Sequence, residues 1–350
     1  MTLSYPKTAA QQASAQNRIG RFYITRELGR GSTGTVYLAH DPVIDREVAI
    51  KTFSSDLSPF EKKHHQQQLI NEARAAGRLS HTNIVTIYEA SSEGNATYIA
   101  MEYLQGRELN RLLDRGYQFS NEDIAVVIRK IAKALDYAHK AGVIHRDIKP
   151  ANIFMVGNLR PKIVDFGIAR APNRTANAAS EAQDNIEQPF TIFDDNIIGT
   201  PNYMSPEQAQ GRDADERTDI YSLGAVMYEM LVLRKPFQAA GTDELLQLII
   251  NKSPTAPHEV NSEVPRELSK IVMKAMHKRP EKRYQTAAEM GRDLKNFIAK
   301  EWQSSRQKNK NLVGKQPLLT KKRSEIKKII LLAGSAAAGI ALIFTFRTFL

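Results

Sequence analysis

Asp147, Lys149 and Asn152 lie close together in VIHRDIKPANIF (143–154), between apolar runs. Polar groups drawn into apolar surroundings need partners or a ligand. Further along, KIVDFGIAR (162–170) places Asp165 just after a short apolar strand. Asn152 and Asp165 offer hard oxygen ligands, which suit Mg²⁺ held jointly with phosphates. An aspartate after a strand is also a common turn former, so Asp165 alone decides nothing.

Upstream, LGRGSTGTVYLA (28–39) carries Gly29, Gly31 and Gly34 in a GxGxxG spacing. The dinucleotide fingerprint has the same form but lies between a strand and a helix. Here GTVYLA reads as a second strand, so the glycines fall on a hairpin. Such a hairpin can lay backbone N–H groups close to phosphate oxygens because no Cβ intervenes. It is equally the form of an ordinary glycine turn. VAIK (48–51) ends a β-branched run on Lys51, whose ammonium could reach from a strand towards phosphates. Glu72, in LINEARAAGRL, could hold that lysine extended. Taken singly, Lys51 and Glu72 read as surface charges.

These residues need a scaffold that changes character near residue 104. RFYITREL, GTVYLAHD, REVAIKTF, IVTIYEAS and ATYIAMEY are short β-branched or aromatic runs bounded by turn residues, and read as strands. One helix is expected between the third and fourth, at about 60–79. From 105 to 300 helices dominate. AVVIRKIAKALDYAHKAG (125–142) has helical apolar spacing, with Gly142 as its C-terminal cap. TDIYSLGAVMYEMLVL (218–233) is too apolar for a surface helix and is expected at the centre of the core.

Composition sets the limits. The 350 residues are 42% hydrophobic and 25% charged, an ordinary globular balance. The absence of cysteine excludes disulfides, cysteine-ligated metal and a cysteine nucleophile. Of the net +11, residues 301–350 carry +8, from ten Lys/Arg and two Asp/Glu. Residues 1–300 carry +3, from 39 and 36. A nucleic-acid-binding face over the main domain is therefore not indicated.

The ends read differently from the middle. Residues 1–20 are rich in Ala, Gln and Ser and are expected to be a disordered lead-in, not a secretory signal. Residues 329–346 (IILLAGSAAAGIALIFTF) carry no charge. At about 1.5 Å per residue they span roughly 27 Å, enough for a bilayer's hydrocarbon core. The competing reading is a buried core helix. Ser335 and Gly339 form a small-xxx-small pair that could let two such helices approach. Residues 301–328 form a basic juxtamembrane linker, suited to anionic lipid. The positive-inside rule then places the preceding domain on the cytoplasmic side. Residues 347–350 are a short tail, so no sensing ectodomain is expected.

Jointly the motifs are specific. GxGxxGxV, VAIK, a helix glutamate, HRDxKxxN and DFG occur in one order over about 22–300. The chain resembles the eukaryotic-like (Hanks-type) Ser/Thr protein kinase family, in particular its bacterial membrane-anchored members. GTPNYMSPE (199–207), DIYSLG (219–224) and RPEKRY (279–284) look like further motifs of that family. The resemblance implies an α+β bilobal fold, with a β-rich N-lobe (21–104), a mainly helical C-lobe (105–300) and a single C-terminal transmembrane helix.

It also implies roles. ATP would lie against Leu28, Gly29, Arg30, Gly31, Ser32, Thr33, Gly34, Val36, Ala49, Lys51, Met101, Glu102 and Leu104. Within that set Val36 covers adenine, Met101 is the gatekeeper, and Glu102 and Leu104 make backbone contacts. Lys51, paired with Glu72, would hold the α- and β-phosphates. Asp147 would orient the substrate hydroxyl and accept its proton, and Lys149 would meet the γ-phosphate. Asn152 and Asp165 would hold Mg²⁺, with Mn²⁺ as an alternative. Asp219 would brace the catalytic loop, and Glu207 and Arg283 would form an ion pair.

Regulation follows the same resemblance. Arg146 is placed to receive an activation-loop phosphate, with Thr191 favoured over Thr175 and Ser180. Thr200 resembles the family's P+1 threonine, contacting Asp147 and Lys149. Asp194 and Asp195 either stand in for phosphate or are plain loop charges. Ser205 replaces the family's alanine, a change expected to be neutral. The implied partners are ATP, protein substrates with Ser or Thr, a membrane and a second copy of the chain, but no nucleic acid. The competing function is a pseudokinase scaffold at the membrane, which the intact Lys51/Asp147/Asn152/Asp165 set disfavours. A small-molecule kinase is disfavoured by the peptide-platform segment GTPNYMSPE, and tyrosine specificity by Lys149.

Overall fold

A computed structural model describes residues 18–31, 34–53, 59–93, 96–157, 159–166 and 201–313. The N-terminal part is one antiparallel sheet of six strands. They are β1 (Arg18–Ile19), β2 (Phe22–Gly31), β3 (Gly34–Asp41), β4 (Arg46–Phe53), β5 (Ile87–Glu93) and β6 (Ala96–Glu102), in the order β1-β2-β3-β4-β6-β5. Strand alternation decides what β4 shows to each side. Val48 and Ile50 pack with Phe22, Ala39, Tyr98 and Ala100 in one cluster. Ala49, one residue out of phase, packs with Val85 and Met101 in another. Lys51 shares the parity of Ala49 and is itself buried.

The helix α1 (Pro59–Gly77) joins β4 to β5. Leu69 and Ala73, one helical turn apart, pack on Ile99 of β6. This contact places the helix behind the sheet, beside the strand that neighbours Lys51.

A mainly helical lobe follows. Its elements are β7 (Arg107–Glu108), α2 (Leu109–Asp114), α3 (Asn121–Lys140), β8 (Ile153–Met155), β9 (Pro161–Ile163), α4 (Pro206–Ala209), α5 (Arg217–Val232), α6 (Thr242–Asn251), α7 (Pro257–Val260), α8 (Arg266–Ala275) and α9 (Ala287–Val313). The short strands β7, β8 and β9 form a small antiparallel sheet. At the start of α3 the Ser120 hydroxyl accepts from Asp123 N at 3.0 Å, with Glu122 and Asp123 in the first turn. The helix ends where Gly142 takes φ 75°, a left-handed value that glycine adopts without Cβ strain. Val143 N then bonds back to Ala138 O at 2.9 Å.

The core of this lobe forms around α3, α5, α8 and α9, where Ile128, Leu135, Leu223, Leu268 and Leu294 are fully buried. Burying each such side chain contributes about 1.5–3 kcal/mol. The central position expected for 218–233 is what α5 occupies, and its first turn buries polar Thr218 and Asp219 as well.

Three boundaries differ from the sequence reading. The lead-in expected through residue 20 gives way at Arg18, because Arg18 and Ile19 pair with Tyr23 and Phe22. The guanidinium of Arg18 also lies 4.8 Å from the Tyr23 ring centre. Residues 301–313, expected as linker, are helical, since the polar residues after Ile298 keep good helix formers. The first compact unit ends at Ile298, two residues before the expected lobe end, and the described residues beyond it, 299–313, continue α9. Among the described residues no helix is long and apolar enough to cross a membrane. The expected span 329–346 lies outside them.

Candidate active site

An apolar slot opens between the sheet and the helical lobe. Ala49, Val85 and Met101 form its buried floor, and Leu28, Val36, Leu104 and Val164 pack on it. Strand register explains the convergence: Gly29 pairs with Val36, Val36 with Lys51, and Ala49 with Met101. Five of these apolar residues were expected from the sequence, and the structure adds Val85 and Val164. An apolar lining of this kind suits the apolar part of a ligand.

The glycine hairpin closes at Gly31 and Gly34, which pair directly. Gly34 takes φ 147°, and a Cβ there would lie 1.7 Å from Thr52 O. Only glycine therefore lets β3 run this close to β4. Ser32 and Thr33 lie outside the described residues.

Lys51 Nζ sits 2.8 Å from Asp165 Oδ2, with the lysine side chain 9% exposed and the aspartate 28%. Asp165 has φ 59°, a left-handed backbone that costs about 1–3 kcal/mol in a non-glycine residue. That turn aims its carboxylate at Lys51. Glu72 lies half-buried on α1. A pocket behind the slot is lined by Lys51, Ala76, Ile84, Ile99, Met101 and Phe166, among others.

The loop between α3 and β8 brings the other functional groups together. Lys149 Nζ lies 2.8 Å from Asp147 Oδ2, and Asn152 Nδ2 donates to the same oxygen at 3.0 Å. Asn152 Nδ2 also donates to Asp147 O at 2.8 Å. Both side-chain contacts converge on Oδ2; among the described residues Oδ1 takes none.

One buried carboxylate holds this loop. Asp219, fully buried on α5, accepts from His145 N at 2.8 Å and from Arg146 N at 2.7 Å. His139 Nε2 lies 2.8 Å from its Oδ2. Arg146 sits at φ 64°, so the carboxylate fixes a left-handed residue immediately before Asp147. His145 in turn bonds Val164 O at 3.0 Å and stacks obliquely on Phe166, ring centres 4.6 Å apart. The loop that carries Asp147 and the Asp165 turn are thereby fastened to each other.

The segment after residue 201 is anchored with equal care. Glu207 and Arg283 form a two-pronged ion pair, both N–O distances 2.7 Å. Burial works to raise Glu207, but hydrogen bonds and charge from Arg283 hold its carboxyl below the ordinary range. Thr218 Oγ1 donates to Glu207 Oε1 at 2.8 Å. Ser205, expected to be a neutral replacement, is fully buried and caps α4 in a capping box with Gln208. Gln208 Nε2 then reaches Arg146 O at 2.9 Å. An alanine could supply none of the hydroxyl contacts, so the substitution carries structural content.

Arg146 Nε is buried without a hydrogen-bond partner among the described residues. The expected phosphate acceptors Thr175, Ser180 and Thr191, together with Asp194, Asp195 and Thr200, lie outside those residues, so the arginine's expected partner is not described.

The donor set fits a Mg²⁺–nucleotide. Asn152 spends its N–H donors on Asp147, leaving Oδ1 as its acceptor, and Asp165 offers a carboxylate. Among the described residues no three His, Asp or Glu gather into a closed metal cage. Mg²⁺ keeps waters and phosphate oxygens and needs few protein ligands. Sequence reasoning did not single out His139, His145, Phe166, Thr218 or Lys162. The HRD and DFG strings contain two of them, but their partners lie too far off in sequence to be seen.

The protein kinase domain model matches residues 22–294. The chain belongs to the protein kinase family. Over 276 residues it is 37% identical to a probable serine/threonine-protein kinase of Clostridium acetobutylicum, covering 79% of this chain and 40% of that protein. Over 282 residues it is 35% identical to the probable serine/threonine-protein kinase PknB of Corynebacterium glutamicum, covering 78% and 42%. This kinase chain thus spans about two fifths of the length of the curated relatives it matches. In fold it is similar to the crystal structure of the Mycobacterium tuberculosis PknI kinase domain, with a TM-score of 0.61 at 22% identity, covering 80% of this chain and 96% of that one.

Proposed function

We propose that the protein transfers the γ-phosphoryl group of ATP to Ser or Thr hydroxyls of proteins, its own activation loop included. The carrying observation is the convergence of Lys51, Asp147, Lys149, Asn152 and Asp165 on one cleft beside an apolar slot. The names of the relatives support the Ser/Thr assignment.

Phosphoryl transfer needs positioning and charge neutralisation more than covalent help. Leu28, Val36, Ala49, Met101 and Leu104 would grip the adenine, and the hairpin N–H groups would face the phosphates. Lys51 supplies a cation on the α- and β-phosphates. Asn152 and Asp165 would hold Mg²⁺, which neutralises phosphate charge when bound. Asp147 orients the acceptor hydroxyl through Oδ1 while Lys149 and Asn152 hold Oδ2. The hydroxyl oxygen bonds to the γ-phosphorus as the bond to ADP breaks, and its proton passes to Asp147. Lys149, already on Asp147, would add a positive charge beside the γ-phosphate.

Residues 329–346 would anchor the chain in a membrane with the kinase on the cytoplasmic face, and the basic residues of 301–328 would favour anionic lipid. Tethering raises effective concentration and so favours phosphorylation of one copy by another, with Thr191 the favoured site and Arg146 its receiver.

Incubation with γ-labelled ATP and Mg²⁺, followed by phosphoamino-acid analysis, tests the reading. Label is expected on phosphoserine and phosphothreonine. Label confined to phosphotyrosine, or absent despite ATP binding, would count against it.

A further inference from the structure

We propose that Glu102 and Lys162 form a positioning pair behind the cleft, which fixes the adenine-contacting backbone against the strand leading to Asp165 and thereby sets ATP affinity. This rests on reading the cleft as an ATP site.

Lys162 Nζ lies 2.8 Å from Glu102 Oε2, with the two side chains 18% and 29% exposed. Each end is also tied to the backbone of the segment that follows α1. Glu102 Oε2 accepts from Thr86 N at 3.3 Å, and Lys162 Nζ donates to Ile84 O at 3.4 Å. Glu102 N itself donates to Thr86 O at 2.9 Å. The same segment is sewn to β9: Ile163 N donates to Asn83 O at 2.8 Å, and Val85 N to Ile163 O at 2.9 Å. Asn83 Nδ2 adds a bond to Pro161 O at 2.6 Å.

Residues 83–86 are therefore a strap with β6 on one side and β9 on the other, and the Glu102–Lys162 pair closes it across the far face. Met101 and Val85 meet on the near face, in the floor of the slot. Asp165 follows Lys162 on the same short stretch. A shift of Glu102 away from Lys162 moves the backbone that must meet adenine relative to the carboxylate that must meet the metal.

Exposed ion pairs of long side chains contribute little. This pair is largely sheltered, and neither side chain can swing out without also losing a backbone contact. Losing Lys162 leaves the Glu102 carboxylate sheltered with only an amide for company, which favours its turning to water and pulling the chain with it. Coupling free energies between linked sites typically correspond to about 5- to 150-fold in affinity; an effect at the lower end of that range is expected here.

The experiment is titration calorimetry of the full chain in detergent with a non-hydrolysable ATP analogue and Mg²⁺, alongside thermal melts. The variants are Lys162→Met, Glu102→Gln, the two together, and the exchange Glu102→Lys with Lys162→Glu. Each single change is expected to raise Kd about fivefold or more, the double change no further than the worse single, and the exchange to recover part of the loss. A lowered Tm with wild-type Kd would make the pair merely structural and overturn the proposal, as would additive effects in the double variant. Should Lys162→Met fail to fold, Lys162→Gln, which keeps most of the stem, carries the same comparison. A wild-type chain that does not bind the analogue would instead overturn the reading of the site.

Discussion

Replacing Asp219 by Asn removes one charge and exchanges one acceptor for a donor in a site that is fully buried. The native carboxylate meets His145 N and His139 Nε2 through Oδ2, and Arg146 N through Oδ1. An amide placed with its NH₂ at Oδ1 confronts the Arg146 N–H; placed the other way it confronts the His145 N–H. His139 can change tautomer, but a backbone N–H cannot, so one buried donor is orphaned either way. That costs about 1–3 kcal/mol. The remaining bonds lose charge assistance, adding about 1 kcal/mol. A loss of roughly 2–4 kcal/mol is thus expected, against a total stability of about 5–15 kcal/mol. The chain should still fold, with a lower urea midpoint by circular dichroism. Function should fall further than stability implies. Arg146 holds φ 64° with help from this carboxylate, and a left-handed residue costs about 1–2 kcal/mol. Freed, it can relax and carry Asp147 away from the acceptor, so phosphotransfer at saturating ATP should drop about tenfold or more at temperatures where the variant is folded. Wild-type turnover in a clearly destabilised variant would refute the positional argument, and an unchanged urea midpoint would refute the energetic one.

Ser205→Ala removes the cap of α4 and should cost about 1 kcal/mol, read as a lower urea midpoint with unchanged slope; an unaffected midpoint would restore the expectation of neutrality. Lys278 donates to Ile249 O at 2.5 Å beneath the Phe237 ring, and burial pushes its amine down to about 8. Between that value and the ordinary lysine range of about 10.4 the unfolded chain holds the extra proton, so stability should rise with pH across this window. Lys278→Met should lack that rise when the two proteins are compared by urea titration at several pH values. Glu207 is held below the ordinary carboxylate range, so its contribution is present above about pH 4 and is lost as pH falls through its folded value. Glu207→Gln should therefore flatten the acid limb of the stability profile.

Much of the fold was legible because it rests on local pattern. The parity of Val48 and Ile50 against Ala49 and Lys51, and the spacing of the apolar residues in α3, are visible without coordinates. The motif strings likewise place the main polar residues of the cleft on their loops. What escaped notice depends on distant partners or on backbone strain. The resemblance alone ties Asp219 to the catalytic loop, no local pattern naming His145 and Arg146 as its donors, and nothing near Lys162 points to Glu102. The positive φ of Arg146 is unfavourable for its residue type and is held with help from the Asp219 carboxylate, which accepts from His145 N and Arg146 N. β7, β8 and β9 have two or three residues each, too few to show a period of two. Ser205 looked neutral because its cap depends on Gln208, and its second hydroxyl contact is Thr218 on another helix.

The central claim is that Asp147 serves the acceptor hydroxyl in a cleft whose other residues bind the nucleotide. The most direct test compares the full chain with Asp147→Asn in ATP binding and in phosphate transfer, with the modified residues mapped by mass spectrometry. The account predicts near wild-type ATP affinity for the variant and a loss of transfer of about a hundredfold or more, the scale of a lost general base. Transfer by Asp147→Asn at the wild-type rate would contradict it.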